Sequence, residues 1–254
     1  MRSLLQAFGF LTILPVGGGR ERAMGPSRAF FPLVGLALGG ALAGLDWLMD
    51  TAVPPLVVDA LLVAVLLALT RAIHTEGFLD ACDGLFGGHS REDRLRILRD
   101  THVGAFAVAG GVALLLLKWS LLVSVPLDVR WEMLVLFPCL SRLGMLGTMA
   151  AFPYARAEGL GTAFLEGKGW WQVVVGLVIA LFAAWALLGG GGLVVAGAVV
   201  AVSLALGWWM SRMLGGMTGD TYGAVNELAE AAALLLGILA VYYWPTLFFA
   251  PFWD

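Results

Sequence analysis

Charged side chains are scarce in this sequence of 254 residues. Asp, Glu, Lys and Arg together make up 13% of it, whereas hydrophobic residues make up 60%. A soluble domain has about 25% charged and about 45–50% apolar residues. The scarcity excludes an ordinary soluble domain and predicts an integral membrane protein embedded in a lipid bilayer. The formal net charge of −3 gives no reason to expect nucleic acid as a partner.

Motifs built on cysteine, histidine or serine are also missing. Cys82 and Cys139 form no CxxC pair, and the three histidines do not have the spacing of zinc ligands. Neither a GxSxG motif nor a P-loop with Gly-Lys-Ser/Thr occurs. These absences argue against a zinc site, a serine hydrolase of that type and a P-loop nucleotide site.

Apolar runs long enough to cross a membrane are abundant, and proline or glycine residues separate them. They predict an all-α fold, a polytopic transmembrane helix bundle of about seven spans that forms one integral-membrane domain over residues 1–254. Residues 1–28 are interpreted as an interfacial or re-entrant N-terminal segment. The seven runs lie at 29–49, 54–72, 103–125, 131–152, 170–188, 192–211 and 228–250.

The basic residues predict how the bundle is oriented. With seven spans and a cytoplasmic N-terminus, thirteen of the fifteen basic residues fall on the cytoplasmic side. Lys118 and Arg130 fall toward the outside, where Lys118 is expected to snorkel. The motif region 73–102 and the glycine-rich loop 212–227 then both face the cytoplasm.

Three carboxylates follow directly on the second apolar run. On a helix, Glu76, Asp80 and Asp83 lie within about 60° of one another. Negative charges so close together repel, and the edge of a membrane increases the repulsion. A set of oxygen ligands favours a hard cation, so we predict that these three residues bind Mg²⁺.

A dense group of arginines, which includes Arg99, follows the acidic stripe and leads to Asp100. Arginines beside a metal held by carboxylates suit a diphosphate substrate, because both neutralise phosphoryl charge. The alternative is an ordinary cytoplasmic loop in which acidic residues offset the arginines. His74, at the start of the motif, is predicted to orient a carboxylate or a phosphate, or else to be a plain helix-end histidine.

A second constellation lies near the C-terminus. Glycines there let backbone N–H groups approach a phosphate, and the helix that follows adds its dipole. Asp220 and Glu227 could ligate metal or orient a nucleophile. The alternative is a simple turn between spans. The candidate phosphate-binding residues of this loop are Arg212, Gly215, Gly216, Thr218 and Gly219.

Two further arginines are candidates for binding phosphate. Arg142 lies in the inner part of an apolar span and therefore needs a partner, either a protein carboxylate or a substrate phosphate. Arg156 lies between Tyr154 and a Gly-Leu-Gly sequence that ends at Gly161.

Taken in order, these motifs resemble the cobalamin synthase family, the adenosylcobinamide-GDP ribazoletransferases. The resemblance covers about residues 8–230. The matching segments are Phe10-Leu-Thr-x-Leu-Pro15, His74-x-Glu-Gly-x-x-Asp-x-x-Asp-Gly84, Asp100-Thr-His-Val-Gly104, Tyr154-Ala-Arg-x-x-Gly-Leu-Gly161 and Gly215-Gly-x-Thr-Gly-Asp-x-x-Gly-Ala224 with Glu227.

The resemblance implies a bacterial or archaeal enzyme of the cytoplasmic (inner) membrane that acts late in cobalamin biosynthesis. Such enzymes transfer the cobinamide phosphate of adenosylcobinamide-GDP to α-ribazole or its 5′-phosphate, release GMP and need Mg²⁺. Two positions depart from the family pattern, which usually has Asp at position 76 and Ser-Arg at positions 101 and 102. Here these are Glu76 and Thr101-His102.

On this interpretation Glu76, Asp80 and Asp83 hold Mg²⁺ against the diphosphate. One carboxylate accepts the proton of the attacking ribose hydroxyl. The candidates for that base are Asp100, Asp220 and Glu227, and the residues that clamp phosphate are Arg142, Arg156 and Arg212.

Two other functions remain as alternatives. A CDP-alcohol phosphotransferase shares the Asp-x-x-Asp-Gly motif, but its Ala-Arg is replaced here by Leu85-Phe86. A cation transporter would place acidic residues near the bilayer midplane and break helices in paired halves. Homo-oligomer formation is also open, because lipid-facing and partner-facing stripes look alike in sequence.

Overall fold

The computed structural model describes residues 1–16, 24–156, 160–164, 166–167 and 169–248. Some of the residues discussed above lie outside these ranges. They are Gly159, part of the predicted segment 1–28, and the last two residues of the run 228–250. Within them the regular structure is helical, and one isolated backbone bridge pairs Tyr154 with Met217. The all-α prediction is therefore confirmed.

The described residues form nine α-helices and four short 3₁₀ turns. The 3₁₀ turns are Gly25–Phe30, Leu127–Val129, Leu160–Phe164 and Pro245–Leu247. The α-helices are α1 (Arg2–Leu11), α2 (Phe31–Met49), α3 (Pro55–Leu69), α4 (Ile73–Gly87), α5 (Arg91–Ile97), α6 (Ala105–Val123), α7 (Arg130–Ala151), α8 (Trp170–Leu214) and α9 (Gly219–Tyr243).

Five helical segments are long and apolar enough to cross a membrane, and α3 with α4 forms a sixth candidate that is bent by 91°. The polytopic bundle is confirmed at this level, while seven spans and a cytoplasmic N-terminus stay predictions. The five segments are Gly25–Met49, Ala105–Val123, Leu127–Ala151, Trp170–Leu214 and Gly219–Tyr243.

The 45-residue α8 is sharply broken at Gly189, where φ is 57° and ψ is −139°. A Cβ on Gly192 would collide with the carbonyl oxygen of Ala184. In a straight helix two residues eight positions apart are separated by about 12 Å. The two halves, 170–188 and 190–214, therefore reverse direction at the glycine run, where the sequence predicts a break.

The bend between α3 and α4 is formed by Arg71 and Ala72, whose φ values are 53° and 50°. Two consecutive left-handed residues other than glycine cost about 1–2 kcal/mol each. As a result, α4 begins in the interior of the bundle, where His74 is 4% exposed. The continuous span predicted at 54–72 is instead a helix that ends at Leu69.

Close helix packing depends on glycines that face a neighbouring backbone. A Cβ on Gly35 or Gly39 of α2 would collide with backbone atoms of α7. The spacing of four residues puts both glycines on one face of α2, as in other membrane helix pairs. Glycines also allow close backbone packing between α4 and α9, and this packing shapes the candidate active site.

Candidate active site

A cavity of about 250 Å³ lies between the start of α4, the end of α7 and the start of α9. Its polar lining residues are His74, Glu76, Asp80, Arg156 and Asp220, together with the tyrosines described below. The structure thus brings together residues from three motifs that extend over the 148 positions from His74 to Tyr222. Carboxylates facing an arginine in one cavity can hold a cation and a phosphate side by side.

Two glycines bring α4 and α9 into backbone contact beside the cavity. A Cβ on Gly77 would lie 2.9 Å from the carbonyl oxygen of Asp220, and one on Gly223 would lie 2.9 Å from that of His74. Contacts this short are not available to a larger residue without a shift of one helix. These glycines therefore set how close Glu76 and Asp80 come to Asp220.

The segment before α9 is anchored by backbone pairing. The N–H of Met217 donates to the carbonyl oxygen of Pro153 at 2.8 Å, and the N–H of Ala155 donates to that of Met217 at 2.8 Å. This pairing fixes Tyr154 and Arg156 against the start of α9. Tyr154 stacks on Tyr222, with ring centroids 6.4 Å apart, and both tyrosines line the cavity.

Most residues of the predicted phosphate-binding loop form the turn between α8 and α9 and do not line the cavity. Gly215 ends α8 with φ of 71°, and Gly216, with φ of 150°, lies against the backbone of Pro153 and Ala155. Thr218 is the N-cap of α9, because its hydroxyl accepts a hydrogen bond from the N–H of Thr221. Gly219 is the one member of this loop set that lines the cavity among the residues described.

Arg156 is ion-paired with Asp220 across the cavity wall. Its Nη2 lies 2.9 Å from Oδ2 of Asp220 and 3.2 Å from the carbonyl oxygen of Leu98. The hydroxyl of Thr218 also donates to Asp220, at 3.2 Å. These contacts hold the guanidinium in place, and its buried Nε has no hydrogen-bond partner among the described residues.

Asp83, unlike Glu76 and Asp80, is directed to the start of α6. Its carboxylate accepts hydrogen bonds from the N–H of Gly104 at 2.7 Å and of Ala107 at 2.9 Å. It satisfies donors that a helix N-terminus leaves unpaired. Within the described ranges, no group of three or more His, Cys, Asp or Glu side chains is gathered closely enough to hold a metal ion.

A buried charge network lies next to the cavity, deeper in the bundle. Lys118 of α6 pairs with Glu227 and Glu230 of α9, and Arg142 of α7 pairs with Glu230. Thr75 of α4 donates to Glu227 at 2.9 Å. Two cations face two carboxylates, so the charges of this network balance.

Three predictions are affected by this network. Lys118 is 5% exposed, so the expectation that it snorkels to the outside is wrong. Arg142 is completely buried, and of the two partners predicted for it the structure supplies the protein carboxylate. Glu227 is also inside the network rather than on the cavity, and this position does not suit the predicted base.

The remaining predicted residues lie on the surface. Arg99, Asp100 and Arg212 are exposed and do not line the cavity. The backbone N–H and ring Nδ1 of His102 contact Asp100 at 3.0 and 2.6 Å, and these hydrogen bonds lower the pKa of Asp100. The Arg212 guanidinium lies 5.6 Å from the Trp208 ring, a cation–π distance.

Aromatic and methionine side chains form the apolar part of the cavity. Phe10 of α1 contacts Phe164 edge to face at a centroid distance of 4.7 Å, and Phe164 contacts Phe31 at 5.8 Å. Met145 and Met149 of α7 line the same cavity. Phe10 opens the motif segment Phe10–Pro15, whereas the other apolar lining residues belong to no motif and are marked in the sequence by their hydrophobicity alone.

Comparison with known proteins shows extensive similarity. The family model described as cobalamin-5-phosphate synthase matches residues 3–239. A relative from Geotalea daltonii named adenosylcobinamide-GDP ribazoletransferase is 40% identical over 238 residues, which cover 92% of this chain and 96% of its own length. Relatives of the same name from Desulfitobacterium hafniense and Deinococcus radiodurans are 41% and 38% identical. They match 92% and 96% of this chain over 96% and 86% of their own lengths. No solved structure gives a significant match.

Proposed function

The chain belongs to the cobalamin-5-phosphate synthase family, and we propose on that basis that it is an adenosylcobinamide-GDP ribazoletransferase of cobalamin biosynthesis. In the proposed reaction a ribose hydroxyl of α-ribazole, or of its 5′-phosphate, attacks the phosphorus that bears the cobinamide group. A new phosphorus–oxygen bond forms, the bond to GMP breaks, and the hydroxyl proton passes to a base.

The observation that carries this assignment to a site is the pairing of Arg156 with Asp220 beside Glu76 and Asp80. Transfer of a phosphoryl group from a diphosphate requires positive charge on the phosphate oxygens and a group that takes a proton. The cavity offers both within one enclosed space. Among the described residues that line the cavity, no second group combines an arginine with carboxylates.

We propose Mg²⁺ as the cofactor, and the donor set of the cavity fits it. Mg²⁺ is usually bound through one or two carboxylates, with waters and substrate phosphates completing its coordination. Glu76 and Asp80 would hold it, while Asp83 supports them by fixing the end of α4 against α6. When bound, the ion would neutralise charge on the diphosphate and on the departing GMP.

Arg156 is proposed to bind the diphosphate through the donors that Asp220 and Leu98 leave available. Of the three carboxylates predicted as candidates for the base, Asp220 is the one that lines the cavity. We therefore propose that Asp220 accepts the proton of the ribose hydroxyl. The ion pair with Arg156 and the hydrogen bond from Thr218 both use Oδ2 of Asp220, which leaves Oδ1 to accept the proton.

The size of the cavity bears on how the substrates bind. Its volume is about 250 Å³. Pockets that enclose a drug-sized ligand are larger, with volumes of about 300–1,000 Å³. We propose that the diphosphate and the reacting ribose hydroxyl enter the cavity, with the apolar wall formed by Phe31, Met145 and Met149 facing the ribazole. The corrinoid would stay outside, on the cytoplasmic side of a bacterial or archaeal cytoplasmic membrane.

The test is GMP release by detergent-purified protein given adenosylcobinamide-GDP, α-ribazole and Mg²⁺, with detection of the corrinoid product. GMP and product should appear together, stop on chelation, and require a higher Mg²⁺ concentration in Asp80→Asn. A CDP-activated alcohol with its acceptor serves as the parallel substrate. CMP release from that mixture, with no corrinoid turnover, would assign the chain to phospholipid headgroup transfer instead.

A further inference from the structure

His74 connects the cavity to the buried charge network. It lies at the start of α4, it is 4% exposed, and it lines the cavity. Its Nδ1 lies 3.2 Å from Nδ2 of Asn226. Its Nε2 is buried and has no hydrogen-bond partner within the part of the chain that is described. A buried polar atom without a partner costs about 1–3 kcal/mol, which indicates that a bound molecule supplies the partner.

The tautomer of His74 follows from the neighbours of Asn226. The Asn226 Nδ2 group lies 3.1 Å from Oε1 of Glu230, and an ionised carboxylate can only accept hydrogen bonds. The NH₂ end of the amide therefore faces Glu230 and donates to it. An amide NH₂ group only donates, so in its 3.2 Å contact with His74 the second N–H of Asn226 is the donor and Nδ1 is the acceptor. A neutral imidazole that accepts at Nδ1 carries its proton on Nε2.

The amide cannot turn around without a penalty. Glu230 is held by Lys118 on one oxygen and by Arg142 on the other, which keeps it ionised and in place. A flipped Asn226 would direct its carbonyl oxygen at that carboxylate, so the hydrogen bond to Glu230 would be replaced by a contact between two acceptors. The network therefore fixes the amide, and the amide fixes the imidazole.

We propose that His74 binds an oxygen of the diphosphate substrate as a neutral hydrogen-bond donor through Nε2–H, and that Asn226 is the positioning residue that sets this tautomer. The proposal rests on the proposed function for the identity of the substrate. It also excludes His74 as a ligand of the metal, because a nitrogen that carries a proton has no lone pair for a cation.

Two substitutions distinguish the role of Nε2 of His74 from the role of Nδ1. His74→Gln can place an amide N–H close to the position of Nε2, whereas His74→Asn places its amide close to the position of Nδ1. We expect the kcat/KM of His74→Asn to lie about 10- to 100-fold below that of His74→Gln, the effect of one hydrogen bond to a charged group. Equal activity of the two variants, whether high or low, would overturn the proposal.

The tautomer is measured on the unchanged, full-length protein, so it does not depend on whether a variant folds. Nitrogen-15 NMR of histidine-labelled protein in lipid vesicles distinguishes a protonated ring nitrogen from a bare one, and the His74→Gln sample identifies the resonance. Protonation at Nε2 alone is expected. In Asn226→Leu the preference for Nε2 should be lost. Protonation of Nδ1 in the unchanged protein, or an unaltered tautomer in Asn226→Leu, contradicts the assignment.

Failure of the proposal and failure of the proposed function give different results. If the unchanged protein does not release GMP from adenosylcobinamide-GDP, the function is wrong whatever the tautomer is. If it does release GMP and the two His74 variants behave alike, the function stands and the role of His74 is wrong. Addition of adenosylcobinamide-GDP should also shift the Nε2 resonance, and an unmoved resonance in an active sample contradicts direct contact.

Discussion

Lys118 of α6 and Glu230 of α9 form an ion pair inside the bundle, with side chains that are 6% and 1% exposed. Neither protein interior nor lipid solvates such charges, so each depends on the other. Glu227 and Arg142 complete the network, and Arg142 extends it to α7. The pair therefore links three helices at the level where the candidate active site begins.

Removal of one charge from this network should destabilise the protein. Lys118→Met leaves two carboxylates facing Arg142 alone, and breaking a buried pair in this way costs about 3–5 kcal/mol. We expect a clear drop in the midpoint of thermal or denaturant unfolding in detergent. Arg96→Met is the matched control, because the Arg96 side chain is 74% exposed and should change the midpoint little.

The double variant Lys118→Met/Glu227→Gln tests charge balance itself. It removes one positive and one negative charge, so the remaining Arg142 and Glu230 still neutralise each other. Its midpoint should lie above that of Lys118→Met. Additive losses from the two substitutions would mean that the residues stabilise the bundle separately rather than as a balanced set.

The apolar runs were sufficient to predict the bundle, because a membrane-spanning helix can be recognised from one continuous apolar segment of the sequence. Lys118 shows where this reasoning stops. The positive-inside rule treats each charge by its distance from a helix end, and it placed Lys118 at the outer surface. Its partners lie 109 and 112 positions away on another helix, and their proximity is a property of packing alone.

The acidic motif shows the same limit at the site. Helical periodicity correctly puts Glu76 and Asp80 on one side of α4, and both line the cavity. It cannot foresee that the start of α6 lies beside Asp83 and occupies its carboxylate. Arg156 and Asp220 were found from separate motifs, but their contact depends on the backbone pairing between Ala155 and Met217.

Asp83 and Asp80 should therefore differ when each is changed to asparagine. Asp83→Asn replaces one acceptor oxygen with a donor that faces the N–H groups of α6, so we expect a loss of about 1–2 kcal/mol in stability. Asp80→Asn should leave the unfolding midpoint nearly unchanged and raise the Mg²⁺ concentration needed for half-maximal GMP release. Unfolding curves and Mg²⁺ titrations of both variants check this.

A reversed pattern would contradict this division of roles. If Asp83→Asn raised the Mg²⁺ requirement at unchanged stability, the predicted metal role of Asp83 would stand and its hydrogen bonds to Gly104 and Ala107 would be secondary. If Asp80→Asn left the Mg²⁺ requirement unchanged, the proposed cation site on Glu76 and Asp80 would be wrong.

The pairing of Arg156 with Asp220 predicts a strong dependence on guanidinium geometry. Arg156 contacts Asp220 and the carbonyl oxygen of Leu98 through one Nη, which leaves other donors for phosphate. Lysine keeps the charge but cannot make these contacts and bind phosphate at once. Arg156→Lys should lower kcat/KM about 100-fold, with an unfolding midpoint close to that of the unchanged protein. Arg99→Lys, at an exposed position outside the cavity, is the matched control and should retain its activity.

Gly223 provides the most direct test of how the site is assembled. A Cβ there would lie 2.9 Å from the carbonyl oxygen of His74 and 3.2 Å from its Cα, so Gly223→Ala must push α4 away from α9. Overpacking of this kind lowers stability by about 1–3 kcal/mol. This loss equals or exceeds the stabilisation of about 1 kcal/mol that alanine provides over glycine inside a helix. Because Glu76 and Asp80 move with α4 relative to Asp220, we expect GMP release to fall at least tenfold.

Gly197→Ala is the matched control for this substitution. Gly197 also lies within a long apolar helix, but its Cβ would have no atom within 4 Å, so alanine should be neutral or slightly stabilising there. The two variants should therefore differ in both unfolding midpoint and rate of GMP release. Equal behaviour would mean that the close approach of α4 and α9 is not what holds the carboxylates in register. A Gly223→Ala protein that is stable but inactive would locate the effect in the geometry of the cavity rather than in folding.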